Sequence, residues 1–75
     1  MDRARITVHP VARTGGRRVA AHVHGEDTIL GTAYGLPDLA AFLRRIGVED
    51  PDRLLSSGDP LVEWRGGGRD VWGAD

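Results

Sequence analysis

Residues 5–25 read Arg5-Ile6-Thr7-Val8-His9-Pro10-Val11-Ala12-Arg13-Thr14-Gly15-Gly16-Arg17-Arg18-Val19-Ala20-Ala21-His22-Val23-His24-Gly25. Two alternating runs flank Gly15-Gly16. That dipeptide suits a two-residue hairpin loop, because type I′ and II′ turns need positive φ. With both glycines in the loop, Ile6, Val8, Pro10 and Ala12 stand opposite Gly25, Val23, Ala21 and Val19. This face is apolar on both strands. The other face sets Arg5, Thr7, His9, Val11 and Arg13 opposite Glu26, His24, His22, Ala20 and Arg18, and it is polar and basic. A slip of one residue would turn His22 and His24 toward the apolar side. Pro10 has no N–H to donate, so the first strand either lies at a sheet edge or bulges there.

Working outward, a tight turn near Glu26-Asp27 is expected to lead into a third strand over residues 28–33. Gly31 weakens that strand, and either Ile29 or Leu30 faces inward. Residues 36–46 predict an amphipathic helix, with Leu39, Phe42, Leu43 and Ile46 on one stripe. Pro37 and Asp38 suit its first turn, and Arg44 and Arg45 its last. Gly47 and Val48 fit a Schellman cap. Asp50-Pro51-Asp52 opens a second helical turn through Leu54 and Leu55. Residues 61–65 alternate as a late strand with Val62 and Trp64 on one side. Gly66-Gly67-Gly68 interrupts it, and residues 69–72 either return as a weak hairpin or end as a frayed tail.

The predicted fold is therefore two-layer α+β: a three-stranded antiparallel meander packed on one amphipathic helix, joined by the late strand. The predicted core is Ile6, Val8, Val19, Ala21, Val23, Leu39, Phe42, Leu43, Ile46, Val62 and Trp64.

The chain has 75 residues, which fits one small domain and excludes a second core. At this size stability is marginal or is helped by self-association. Cysteine is absent, so no disulfide or thiolate-metal staple is available, and a cytoplasmic location is expected. No apolar run reaches membrane-spanning length, and the N-terminus lacks the apolar stretch of a signal peptide. No membrane partner is expected. Residues 1–25 hold five arginines against one acid, about +4, and the remainder five arginines against ten acids, about −5. That asymmetry speaks to partners rather than to fold. Every basic residue is arginine, and Asn and Gln are absent. High-GC codon bias accounts for this, so the arginines are not by themselves a phosphate signal.

Three groups of residues are candidate sites. His9, His22 and His24 share the basic hairpin face, and the register above sets His9 opposite His22, close enough to share a zinc or copper ion. An ordinary strand surface is the simpler account. Arg5, Arg13, Arg17 and Arg18, with His22 and His24, offer a surface for nucleic acid or another acidic partner. A two-stranded ribbon of this kind fits the DNA major groove; a solvated face is the alternative. Trp64 and Trp72 flank three glycines and are candidate interface anchors, although Trp64 also fits the core. The glycines form no phosphate loop, since no Gly-Lys-Ser/Thr follows. Nucleophile motifs, paired carboxylates and cofactor fingerprints are missing, so neither catalysis nor a cofactor is expected. A domain this small leaves little room for a small-molecule pocket.

Residues 30–34 (Leu-Gly-Thr-Ala-Tyr), 42–45 (Phe-Leu-Arg-Arg) and 62–68 (Val-Glu-Trp-Arg-Gly-Gly-Gly) resemble short uncharacterised proteins of high-GC actinobacteria, some encoded near phage or integrative elements. The resemblance spans about half the chain, implies a small accessory or regulatory protein and supplies no functional residues. Three strands followed by a helix is also similar in architecture to the arm-site DNA-binding domain of tyrosine integrases, although this chain is less basic. The expected function is a non-enzymatic interaction or regulatory module that binds a protein partner or itself. The alternative is a nucleic-acid-binding accessory protein that uses the basic hairpin face.

Overall fold

A computed structural model describes residues 5–23 and 25–73. Four strands and two helices follow in the order β1 (Arg5–Val11), β2 (Arg17–Val23), β3 (Glu26–Ala33), α1 (Leu36–Arg45), α2 (Pro51–Ser56) and β4 (Val62–Trp64). They form one α+β unit with a mixed sheet of strand order β3-β2-β1-β4.

The hairpin exists, with a wider loop than Gly15-Gly16 alone would close. Ile6 pairs with Ala21 and Val8 with Val19, and the ladder is interrupted between Val8 and Val11. Pro10 sits in that interruption, where its missing N–H costs no ladder bond. Ala12 and Gly16 then close the loop, the Ala12 N–H donating to the Gly16 carbonyl at 2.9 Å. Over residues 5–8 the partners move by four residues from the expected register, so both faces keep their composition there; past the interruption the shift is odd, and Val11 pairs with Arg17 in place of Ala20. His22 faces Arg5, not His9. The second reversal falls at Gly25, with φ 80°. Glu26 and Asp27 therefore belong to β3, paired with Val23 and His22, rather than to a turn.

β1 is an interior strand. On its far side it pairs in parallel with β4, Ile6 beside Val62 and Val8 beside Trp64, so the free edges are β3 and the short β4. Antiparallel neighbours need only a loop, whereas a parallel partner needs a crossover. Here the intervening helices supply it, and they cover one face of the sheet. Ile6, Val8, Val19, Ala21, Leu39, Leu43 and Val62 form the buried core, with Val23, Phe42 and Trp64 packed around it. Ala33, Ala40 and Leu55 join that core. Ile46 does not: it follows the last helical residue and is 37% exposed. The bulge between Val19 and Ala20 decides the β3 alternation. Leu30 packs inward, and Ile29 is 56% exposed on the other face.

α1 closes with the expected Schellman cap, Val48 N–H to Leu43 carbonyl at 3.0 Å and Gly47 N–H to Arg44 carbonyl at 3.1 Å. At its start the Asp38 carboxylate accepts from the Tyr34 N–H at 2.9 Å. That bond fixes the chain between β3 and the helix. No helix among the described residues is long and apolar enough to cross a membrane.

Candidate binding cleft and the arginine behind it

Two adjacent arginines divide the molecule. Arg17 has the strand parity of Val19 and Ala21, so its side chain enters the covered face and is 0% exposed. It does not belong to the basic surface expected for it. Its Nε donates to the His9 carbonyl at 2.8 Å. Nη1 donates to the carbonyls of Gly68 at 2.7 Å and Val71 at 3.0 Å. Nη2 donates to Arg65 at 2.7 Å and Gly67 at 2.9 Å, with a longer contact to Val8 at 3.4 Å. The guanidinium carbon lies 5.4 Å from the Trp64 ring centroid and 5.6 Å from that of Trp72. The two indoles meet edge-to-face at 6.0 Å.

Trp64 and Trp72, expected as interface anchors, thus engage a cation within their own chain, and a desolvated pairing of this kind is worth about 2 kcal/mol. The residues after β4 form a strap held to the hairpin. Besides Arg17, the Gly16 N–H donates to the Trp72 carbonyl at 3.1 Å. Residues 69–72, expected either to return as a weak hairpin or to end as a frayed tail, form no strand and include that anchor. Burial pushes the Arg17 pKa below its ordinary value. A guanidinium does not lose its proton in proteins, so the charge persists and is met by carbonyl dipoles and the two indole rings.

Arg18 has the opposite parity and is exposed on the uncovered face, opposite Thr32. There the sheet, the hairpin loop and the residue after β3 enclose a cleft of about 490 Å³. Its walls include His9, Thr14, Arg18, Ile29, Thr32 and Tyr34. Tyr34 is 67% exposed, yet its ring is positioned. A Cβ at Gly16 would fall 2.7 Å from Tyr34 Cε1 and 2.8 Å from Thr32 Cγ2. Only the bare α-carbon of a glycine, here at φ +80°, lets the phenol lie across the base of the loop.

The ion pairs among the described residues join His22 to Asp27, Arg44 to Asp52 and Arg65 to Glu63. None involves Arg5, Arg13 or Arg18. Among the described residues no carboxylate lines the cleft.

Of the three candidate metal-site histidines, the structure describes His9 and His22, and it does not set them opposite one another. His22 Nδ1 lies 2.7 Å from Asp27 Oδ1 in the row that begins at Arg5, and His9 sits at the other end of β1. His24 lies outside the described residues. No group of three metal-ligating side chains comes together among those described. Arg5 and His22 share one end of the open face and Arg18 the other, with Arg13 exposed in the loop between the strands. The sequence reading missed Tyr34, Thr32 and Thr14 as site residues and expected no pocket. An aromatic immediately after a strand and just before Gly35-Leu36-Pro37 was the available signal. Compared with protein-family models, with curated proteins and with solved structures, the chain matches none, so its site stands on its own chemistry.

Proposed function

We propose that this chain is a non-enzymatic binding module that works through the open face of its sheet and takes a polyanionic partner there, in the first instance a nucleic-acid strand. The observation that carries this reading is the cleft beside Arg18, which among the described residues has a cation without a counter-charge and no carboxylate in its wall. Arg5 and Arg13, which make no ion pair among the described residues, extend the positive charge across the face and loop. The covered face is closed by helices and by the strap. Two supports for a purely apolar protein interface have gone: β1 has no free edge, and the tryptophans are engaged internally.

Fluorescence anisotropy with a labelled oligonucleotide tests the reading. Affinity should fall steeply between 50 and 200 mM salt, as roughly expected when phosphates displace counterions. Arg18→Glu combined with Arg5→Glu should abolish binding while the thermal transition stays in place. Binding that ignores both salt and charge reversal would sink the proposal.

A second reading, association with a protein or with another copy, rests on the free edge of β3. Its unpaired backbone groups are a template for another strand. Sedimentation of the protein alone addresses it: a monomer across the accessible concentration range removes the self-pairing version.

A further inference from the structure

We propose that the cleft beside Arg18 is a subsite for a single unpaired nucleotide, its phosphate held by the Arg18 guanidinium and its base laid on the Tyr34 ring. The proposal rests on the polyanion reading above and narrows it to single-stranded nucleic acid.

Size is the first ground. About 490 Å³ falls within the usual ~300–1,000 Å³ of small-ligand sites, enough for one nucleotide and far less than a duplex. The lining is the second. Arg18 gives a forked, permanently charged donor set suited to phosphate. Thr14 and Thr32 add hydroxyls that both donate and accept. Ile29 and Tyr34 supply the apolar and aromatic surface that a base requires and a bare phosphate chain does not. Tyr34 is the exposed aromatic ring on this face. Its main chain is held by Asp38 and its ring lies against the Gly16 α-carbon, so stacking costs little ordering.

The third ground is the breadth of the sheet. A two-stranded ribbon enters the major groove, which is about 12 Å wide. Here β1 and β2 are flanked by β4 and β3, and four strands span roughly 14 Å between their outer axes alone. The hairpin therefore cannot enter a major groove face-on. A duplex could touch only the charges, leaving Tyr34 and Ile29 in water. A single strand can splay one base into the cleft and run its backbone toward Arg13 and Arg5. Acidic polypeptides share the charge but bring no flat ring to the tyrosine.

The test measures anisotropy of a labelled twelve-residue thymidine strand, the matching duplex and a poly-glutamate chain at one salt concentration. It uses the wild type, Tyr34→Ala, Tyr34→Phe and Arg18→Gln. Thermal melting of each variant separates loss of fold from loss of contact. The proposal expects the single strand to bind more tightly than the duplex. Tyr34→Ala should weaken the single-strand complex about tenfold, as for one lost base stack, and Tyr34→Phe should restore it. Arg18→Gln should weaken binding and reduce the salt slope by about 0.7. Equal affinity for single strand and duplex with Tyr34→Ala unchanged overturns the nucleotide subsite and leaves the polyanion reading standing. Poly-glutamate binding as tightly as the strand has the same meaning. Failure of all three probes to bind overturns both.

Discussion

Arg17 and Arg18 are consecutive in β2 and carry the same side chain into opposite surroundings. One is sealed among carbonyls and indoles; the other stands beside an open cleft. The pleat alone separates them, since successive residues of a strand face opposite sides of the sheet. The pair shows that an arginine-rich stretch is not one basic patch. Half of its charge can be consumed in holding the chain together, and the half that remains is presented by what the first half holds. The Arg17 Nε fixes the His9 carbonyl, and the strap fixes Gly16. His9 lines the cleft, and Gly16 supports Tyr34 there.

The largest test of this contrast is Arg17→Met. It removes the charged donors from buried carbonyls and the cation from both indoles, and should cost about 3–5 kcal/mol in urea unfolding. Arg17→Lys should recover less than half of that, because an ammonium is a point charge with three donors and cannot reproduce the fork. Next, within the covered layer, Leu43→Ala should cost about 2–5 kcal/mol and Ile46→Ala under about 1 kcal/mol. The matched pair checks that the helix stripe ends at Leu43. Smallest of all, Arg18→Ala should change stability by no more than about 0.5 kcal/mol while weakening the proposed anion binding. A large stability loss there would erase the division between the two faces. The Arg17 pKa is lowered by burial from a value far above neutrality, so its desolvation cost is present in full, and constant, at every pH near 7. Unfolding free energy measured at pH 6 and pH 8 should show no step attributable to it.

Much of this division was readable in the residues. Alternation sorted Ile6, Val8, Val19 and Ala21 from Thr7, His9 and Arg18, and the helix stripe, its Schellman cap and the late strand followed from spacing and turn chemistry. Register was not readable. Gly15-Gly16 signals a tight loop, but Pro10 withdraws a donor from the ladder and Gly16 is spent beneath Tyr34, so the loop widens. The direction of β4 was equally hidden, because it depends on how far the two helices carry the chain before it returns. Arg17 shares the parity of Val19, which was visible, but nothing local says that six carbonyls more than forty residues away along the chain, or beside it on β1, will gather around a cation. The cleft arises from the wide loop, the β3 bulge that turns Ile29 outward, and the glycine under the tyrosine ring.

Every hydrogen-bond acceptor around Arg17 is a main-chain oxygen. Its hydrogen bonds therefore recognise the path of the strap and not its spelling. At Gly68, where a Cβ would meet nothing within 4 Å, and at Arg65, whose own guanidinium pairs with Glu63, the residue can be exchanged while the oxygen stays in position. Mutational drift over residues 65–71 should accordingly be tolerated wherever the backbone course survives, while Trp72 contributes its ring as well as its carbonyl. Arg17 itself, which reads that course, is the position that admits no synonym.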